Sequence, residues 1–437
     1  MLIAREEWDD RLDFYRPSGI SKTWDTDDHE IKYPHTLGEY LTKDLLPNDR
    51  KPTNDLKNFV HREFENAIYL DKEQLIGSTK YFYVINVYEP LYFRYNEKVG
   101  FKNIDERILE DVRKGNCKII ITHDVEGYSG VEDTGNEYDF KVMHDWAVES
   151  NIDPKSVFYI NGNMISETIA KRQQSDINVF PVTVQEAWNP IWNFKEDPVT
   201  YEPVDSKYLF LNYCRRPRTH RVYVNACLIR DGLFDLGKNS FNALGPWHEG
   251  HLTRLDPHIM PYVQELYAKS PLLIDKDNTH NDITVHVPLN DYSSTFINVV
   301  GETLYSSNTL FLSEKTWKPM IVGSPFIIVG SPGVLSYLKK EGFRTFDRWI
   351  DESYDDEINH AKRFNKIVNL IRELSKKPIK ELVQIRKEMM EVCFHNKELM
   401  KVRTREKFLN EKGKYIHHKP TSDILNQLWR DFNKSLI

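Results

Sequence analysis

Residues 312–346 read LSEKTWKPMIVGSPFIIVGSPGVLSYLKKEGFRTF, and this stretch decides the fold class. Ser313 is a good N-cap, and Glu314 in the first turn suits the helix dipole. The spacing predicts a helix that runs to Ile321 and stops at Gly323-Ser324-Pro325. Phe326-Ile327-Ile328-Val329 is a continuous apolar run, the form of a buried parallel strand. Gly330-Ser331-Pro332-Gly333 breaks it, and Val334 to Lys340 reads as a second helix ended by Gly342. Helix N-termini and Gly-rich turns both present backbone N–H groups that suit phosphate, and Lys315 adds a positive charge for a diphosphate. The plain alternative is a solvated Glu-Lys first turn and glycines that only make turns.

The pattern repeats upstream. Tyr81 to Val87 reads as a strand, Ile104 to Lys114 as a helix, and Lys118 to Thr122 as a buried strand followed by the polar loop HDVEGYSGVEDTGNE. A helix is expected over Tyr138–Ser150, a strand over Ser156–Ile160, a helix over Met164–Gln173 and a strand over Ile177–Val182. Strands alternating with helices imply a parallel sheet, whose ligands sit beyond the carboxyl ends of the strands. The loops there hold His123, Asp124 and Glu126, and Asn161, Gly162 and Asn163. A second alternating unit begins with a strand at Lys207–Cys214. Four arginines follow it (Arg215, Arg216, Arg218, Arg221), then a helix from Val222 to Asp231. Arginine meets phosphate oxygens in pairs, so an anion site is expected at this junction.

Elsewhere the pattern is weaker. HREFENAIYLDKEQL is expected to be a helix, residues 236–280 irregular, and Asp282–Val287 and Thr295–Val300 strands. Helices are expected over Tyr354–Leu374, Ile379–Glu391 and Thr421–Leu436. Asp25, Asp27 and Asp28 read as a solvated loop. Trp247, His248 and Glu249 suit a cleft lining, but His248 and His251 lack a third ligand, so no metal site is expected.

The chain has 437 residues and a net charge of -7, with both signs mixed and abundant aromatics. That is the composition of an ordinary globular protein of two or three domains, not of one built throughout for nucleic acid. No run reaches the length of a membrane-spanning helix, and the N-terminus is too charged for a signal peptide. Four cysteines lie far apart with no CxxC, which fits reduced thiols in the cytoplasm.

The run Phe296 to Pro332 resembles the donor-binding motif of the α-1,3/1,4-fucosyltransferase family. Glu302-Thr303, Ser313-Glu314-Lys315 and Phe326 to Pro332 match that motif in order. The run LNYCRRPRTHRVYVNACL (Leu211–Leu228) is similar to the family's upstream motif, with Arg221, or else Arg218, at its conserved arginine. The resemblance covers residues 207–346 and departs at Leu211, Trp317 and Pro319. It implies an α/β, GT-B-like fold of two Rossmann-type domains facing a cleft, with C-terminal helices. It also implies that Arg218, Arg221 and Lys315 hold a donor diphosphate, that Glu314 meets a ribose hydroxyl, and that Glu302, Gly330 and Ser331 complete the donor site.

The expected division is an acceptor-side domain over 1–190, a linker over 191–206, a nucleotide-sugar domain over 207–400, and helices over 401–437 packing back on the first domain. The expected activity is a glycosyltransferase, metal-independent and inverting, which needs no cofactor beyond its nucleotide-sugar substrate. The catalytic base is expected from Asp124, Glu126 or His123. The acceptor stays open among a glycan, a protein and a small molecule. A hydroxylated base in duplex DNA is the main rival, in a virus- or phage-type enzyme. A non-catalytic nucleotide- or glycan-binding module is the second rival. Neither the sugar nor the oligomeric state is legible.

Overall fold

The computed structural model describes residues 2–5, 68–77, 79–86, 104–123, 139–182, 207–214, 217–243, 249–272, 274, 287–409 and 419–434. Asp124, Glu126, Arg215, Arg216, the expected linker, the Asp25–Asp28 loop and, but for Val287, the strand expected at Asp282–Val287 lie outside these residues. Among the described residues no helix is long and apolar enough to cross a membrane.

The chain divides into two compact units. The first contains β1 (Leu2–Arg5), β2 (Ile68–Asp71), α1 (Lys72–Leu75), β3 (Tyr81–Asn86), α2 (Glu106–Arg113), β4 (Cys117–His123), α3 (Asp139–Glu149), β5 (Val157–Asn161), α4 (Ser166–Arg172) and β6 (Asn178–Pro181). All its strand pairings are parallel, in the order β2-β1-β3-β4-β5-β6. Central strands are apolar on both faces because helices cover both. One face packs Ile119 and Ile121 against Ile108, Phe140 and Ile169. The other packs Phe82, Ile120 and Ile160 against Leu425 and Phe432 of the C-terminal helix.

The second unit contains β7 (Tyr208–Cys214), α5 (Thr219–Arg230), β8 (Gly237–Phe241), α6 (Glu249–Leu255), α7 (Met260–Ala268), α8 (Leu289–Ser293), β9 (Thr295–Gly301), α9 (Glu314–Val322), β10 (Phe326–Val329), α10 (Val334–Lys340) and α11 (His360–Ser375). Its sheet is parallel, in the order β10-β9-β7-β8. The long α12 (Ile379–Phe408) contributes Met389, Val392 and Met400 to this unit's core, and α13 (Lys419–Lys434) belongs to the first unit.

The fold is therefore mixed α/β with two parallel sheets. Three expectations need correction. The described part of residues 236–280 is not irregular, since it forms β8, α6 and α7. The β8 sequence GKNSF is too polar to read as a strand, yet it pairs with β7 along its whole length. Part of the helix expected at HREFENAIYLDKEQL is instead β2 followed by the short α1. The last expected central helix, Ile379–Glu391, continues to Phe408.

Candidate functional site

In the second unit the chain leaves β7 for β8 on one side, then returns to place β9 on the other. The strand order reverses between β7 and β9, and open parallel sheets bind ligands outside the carboxyl ends at such a reversal. Two short segments meet there. Past Cys214, β7 leads to Arg218, His220 and Arg221. Past Gly301, β9 leads to Glu302 and Thr303. The helix α5 begins three residues earlier than the sequence suggests, so Arg221 lies in its first turn rather than ahead of it.

The cations converge on the Glu302–Thr303 backbone. Arg221 is 4 % exposed and donates to the Glu302 carbonyl from Nε (3.2 Å) and Nη2 (2.8 Å). Arg218 Nη1 donates to the Thr303 carbonyl at 3.1 Å. Lys315 Nζ, from the first turn of α9, lies 3.4 Å from Thr303 Oγ1 and 3.3 Å from Ser313 Oγ. Two segments far apart in sequence thus place three positive side chains around one strand end. Burial lowers the Arg221 pKa, and the Arg218 guanidinium adds to this. Arginine remains charged through such shifts, so the buried guanidinium is a fixed cation.

His220 joins the same carbonyl, with Nε2 at 2.7 Å from the Glu302 oxygen. A carbonyl only accepts, so Nε2 carries the proton. Nδ1 then holds a lone pair and has no partner. Burial, reinforced by the Arg221 guanidinium, drives the His220 pKa well below its ordinary value. The ring is neutral and lies 4.8 Å from the Tyr305 ring, centroid to centroid.

Glu302 is fully buried, and its carboxylate is occupied by the protein. It accepts from the Thr303 backbone N–H (2.9 Å), the Ser313 N–H (3.1 Å), Ser313 Oγ (2.7 Å) and Thr316 Oγ1 (2.5 Å). Glu302 thus ties the end of β9 to the start of α9 and orients Lys315 rather than offering a free oxygen. Glu314 differs. It pairs with Lys315 at 2.6 Å, with its side chain 9 % exposed. Burial alone would push its carboxyl up, but Lys315 and Lys318 outweigh this and hold it down at about 2. It is a carboxylate at any working pH, suited to accept from a hydroxyl.

Gly330 and Ser331 sit at the carboxyl end of β10, beside Glu302. Ser331 is buried and its Oγ has no partner. The Gly-rich turn does not lead to open N–H groups on the next helix. The Asp355 carboxylate already accepts from the Leu335 and Ser336 N–H groups at 3.0 Å each, so the start of α10 is capped from within. A residue the sequence reading missed, Arg363, braces this side. It donates to the Gly330 carbonyl (3.1 Å) and the Tyr305 carbonyl (2.6 Å). Its spacing with Ile367, Leu370 and Leu374 puts it on the buried face of α11, a signal that was present in the sequence. His220 was missed too, and nothing but its place between Arg218 and Arg221 marks it.

In the first unit His123 is not a loop residue. It ends β4, is fully buried, and has Nδ1 3.5 Å from the Tyr159 hydroxyl. Asp124 and Glu126 follow it in the chain, outside the described residues. Among the described residues no group of three His, Cys, Asp or Glu is placed to hold a metal ion.

No protein-family model matches the sequence, and no curated protein matches it. Among solved structures, a T4 phage BGT mutant in complex with UDP-glucose is similar at 14 % identity, covering 78 % of this chain and 87 % of that one, with a TM-score of 0.32. A glycosylation-associated protein (Gap123) complex from Streptococcus agalactiae is similar at 10 % identity, covering 70 % and 55 %, with a TM-score of 0.25. At these scores neither likeness carries weight, and the site is read from this chain's own residues.

Proposed function

We propose that the chain is a glycosyltransferase that moves a sugar from a nucleotide-diphosphate donor to an acceptor hydroxyl. The observation that carries this reading is the meeting of Arg218, Arg221 and Lys315 at the sheet's reversal point, with the ionised Glu314 beside them. A diphosphate suits the cations, and Glu314 suits a ribose hydroxyl, as the fucosyltransferase-like motif implies.

The chemistry needs no more from this unit. The acceptor oxygen attacks the anomeric carbon as the bond from that carbon to the diphosphate breaks. The nucleoside diphosphate leaves with the electron pair, and cations aimed at it stabilise that charge in the transition state. A base on the first unit takes the acceptor proton, for which Asp124 and Glu126 are our candidates. Single displacement of this kind inverts the anomeric centre.

The test is calorimetric titration of the full chain with guanosine, uridine, cytidine and adenosine diphosphates. One of them should bind. Lys315→Ala and Arg221→Lys should each weaken it by roughly tenfold or more, since a hydrogen bond to a charged group is worth about 1.5–3 kcal/mol. Unchanged binding in Lys315→Ala would overturn the assignment. Slow hydrolysis of the matching nucleotide sugar separates an enzyme from a binding module, which would hold the diphosphate and turn over nothing.

A further inference from the structure

The carboxyl edge of the first unit's sheet has the opposite character. β4 and β5 run apolar through Ile119–Ile121 and Tyr159–Ile160, then both turn polar where they end. His123 and Asn161 are paired in register there. Thr122, His123, Asn161, Asn163 and Ser166 are all fully buried, and none is Lys, Arg, Asp or Glu. A buried polar group left without a partner is costly, so native proteins leave few of them.

Two are left here. Asn161 Oδ1 accepts from the Asn163 N–H at 3.0 Å, and Asn163 Oδ1 accepts from the Ile165 N–H at 3.2 Å. These bonds fix the loop from β5 into α4 and set the Asn161 amide in one orientation. Its Nδ2 then has no acceptor, and neither does Ser166 Oγ have a partner. Packing alone would be better served by Leu or Ala at these positions. One pre-oriented donor and one hydroxyl, at the edge where parallel sheets take ligands, are what a ligand hydroxyl would complete.

The described polar residues of this edge, which include no Lys, Arg, Asp or Glu, narrow the ligand class. In the sequence, residues 124–138 follow β4 with five acids and no Lys or Arg. That composition opposes a polyanion. We propose that the ends of β4 and β5 form a second binding site, for an uncharged hydroxyl-rich ligand, with Asn161 Nδ2 donating to a ligand hydroxyl and Ser166 Oγ completing the pair. As the place of a neutral saccharide acceptor, this site rests on the reading of the second unit as the donor site. As a binding site it stands without it.

The experiment is saturation-transfer NMR on the full chain with the methyl glycosides of glucose, galactose and N-acetylglucosamine. Nucleoside-diphosphate titration of the same samples runs alongside. At least one glycoside should bind. Ser166→Ala and Asn161→Asp, which keeps the acceptor for Asn163, should weaken it at least about fivefold. Both should leave nucleoside-diphosphate affinity within about twofold. Ser166→Ala should also unfold at the wild-type temperature or above, because it removes an unmatched polar group. That combination separates a binding role from a structural one. Wild-type glycoside binding in Ser166→Ala overturns the proposal, even if Asn161→Asp fails to fold. So does a wild-type chain that binds a nucleoside diphosphate but no glycoside. A chain that binds a glycoside but no nucleoside diphosphate leaves this site standing and removes the donor reading instead.

Discussion

Glu314 and His220 answer to pH over different ranges. The Glu314 carboxyl is held down at about 2, against 4.5 for its ordinary value. Its folded pKa is depressed, so its contribution to stability is fully present above the unfolded value. It is lost as pH falls from about 4.5 towards 2. At neutral pH that contribution is on the order of 3 kcal/mol. Glu314→Gln should therefore lower the urea midpoint at pH 7, and at pH 3 the gap to wild type should shrink by more than half. An equal gap at both values would show that the Lys315 pair does not set the carboxyl. His220 acts at higher pH. Burial and the Arg221 guanidinium keep its ring neutral in the folded state. The unfolded chain takes up a proton below about 6.5 that the folded chain refuses, so this histidine costs stability as pH drops under that value. His220→Phe should flatten the stability profile between pH 7 and pH 5, measured by denaturant titration at each pH.

Glu302 acts between elements. Its carbonyl receives Arg221 and His220 from the start of α5, and its carboxylate receives Ser313 and Thr316 from the start of α9. One residue at the end of β9 thus fixes both cation-bearing helix starts. Glu302→Ala keeps the carbonyl but strands four buried donors. It should cost roughly 3 kcal/mol or more in a denaturant titration. Nucleoside-diphosphate affinity should fall with it through Lys315, not through Arg221. A variant as stable as wild type would sink this linkage. The sequence showed part of this. β10 is an unbroken apolar run and β9 is apolar from Phe296 to Val300 save for Asn298, so strand and position were both legible, as were the helix starts at Ser313 and Gly333. The motif also put Glu302, Glu314 and Lys315 in one set. What it could not separate was a carboxylate pointing at a ligand from one consumed by helix capping, because both look like an acid at a strand end. β8 was hidden for another reason. It is the edge strand of the sheet, with only Phe241 bridged to Leu272 on its outer side, so Lys238, Asn239 and Ser240 are tolerated where a central strand would need Val or Ile. Arg363 hid among the exposed charges of α11, although its period gives it away.

Charge decides which acceptors the whole molecule admits. The net charge is -7, and among the described residues Arg218, Arg221 and Lys315 gather around one strand end. That is enough for a diphosphate and far short of a duplex. An enzyme that grips DNA through six to ten phosphates loses on the order of 10³–10⁵ in affinity between 50 and 200 mM salt. The three described cations, proposed here for a donor diphosphate, are fewer than that. Two measurements should therefore part company. By fluorescence anisotropy, a labelled duplex should show no saturable binding at about 50 mM salt, where such contacts are strongest. Nucleoside-diphosphate affinity should persist there and fall less than about tenfold by 500 mM. A short ligand loses screening energy at its pocket but releases no condensed counterions. If the duplex instead binds with a steep salt slope, the chain makes phosphate contacts well beyond these three cations. The acceptor is then a base in DNA rather than an uncharged saccharide, and the neutral edge of β4 and β5 has to be read as a pocket for that base.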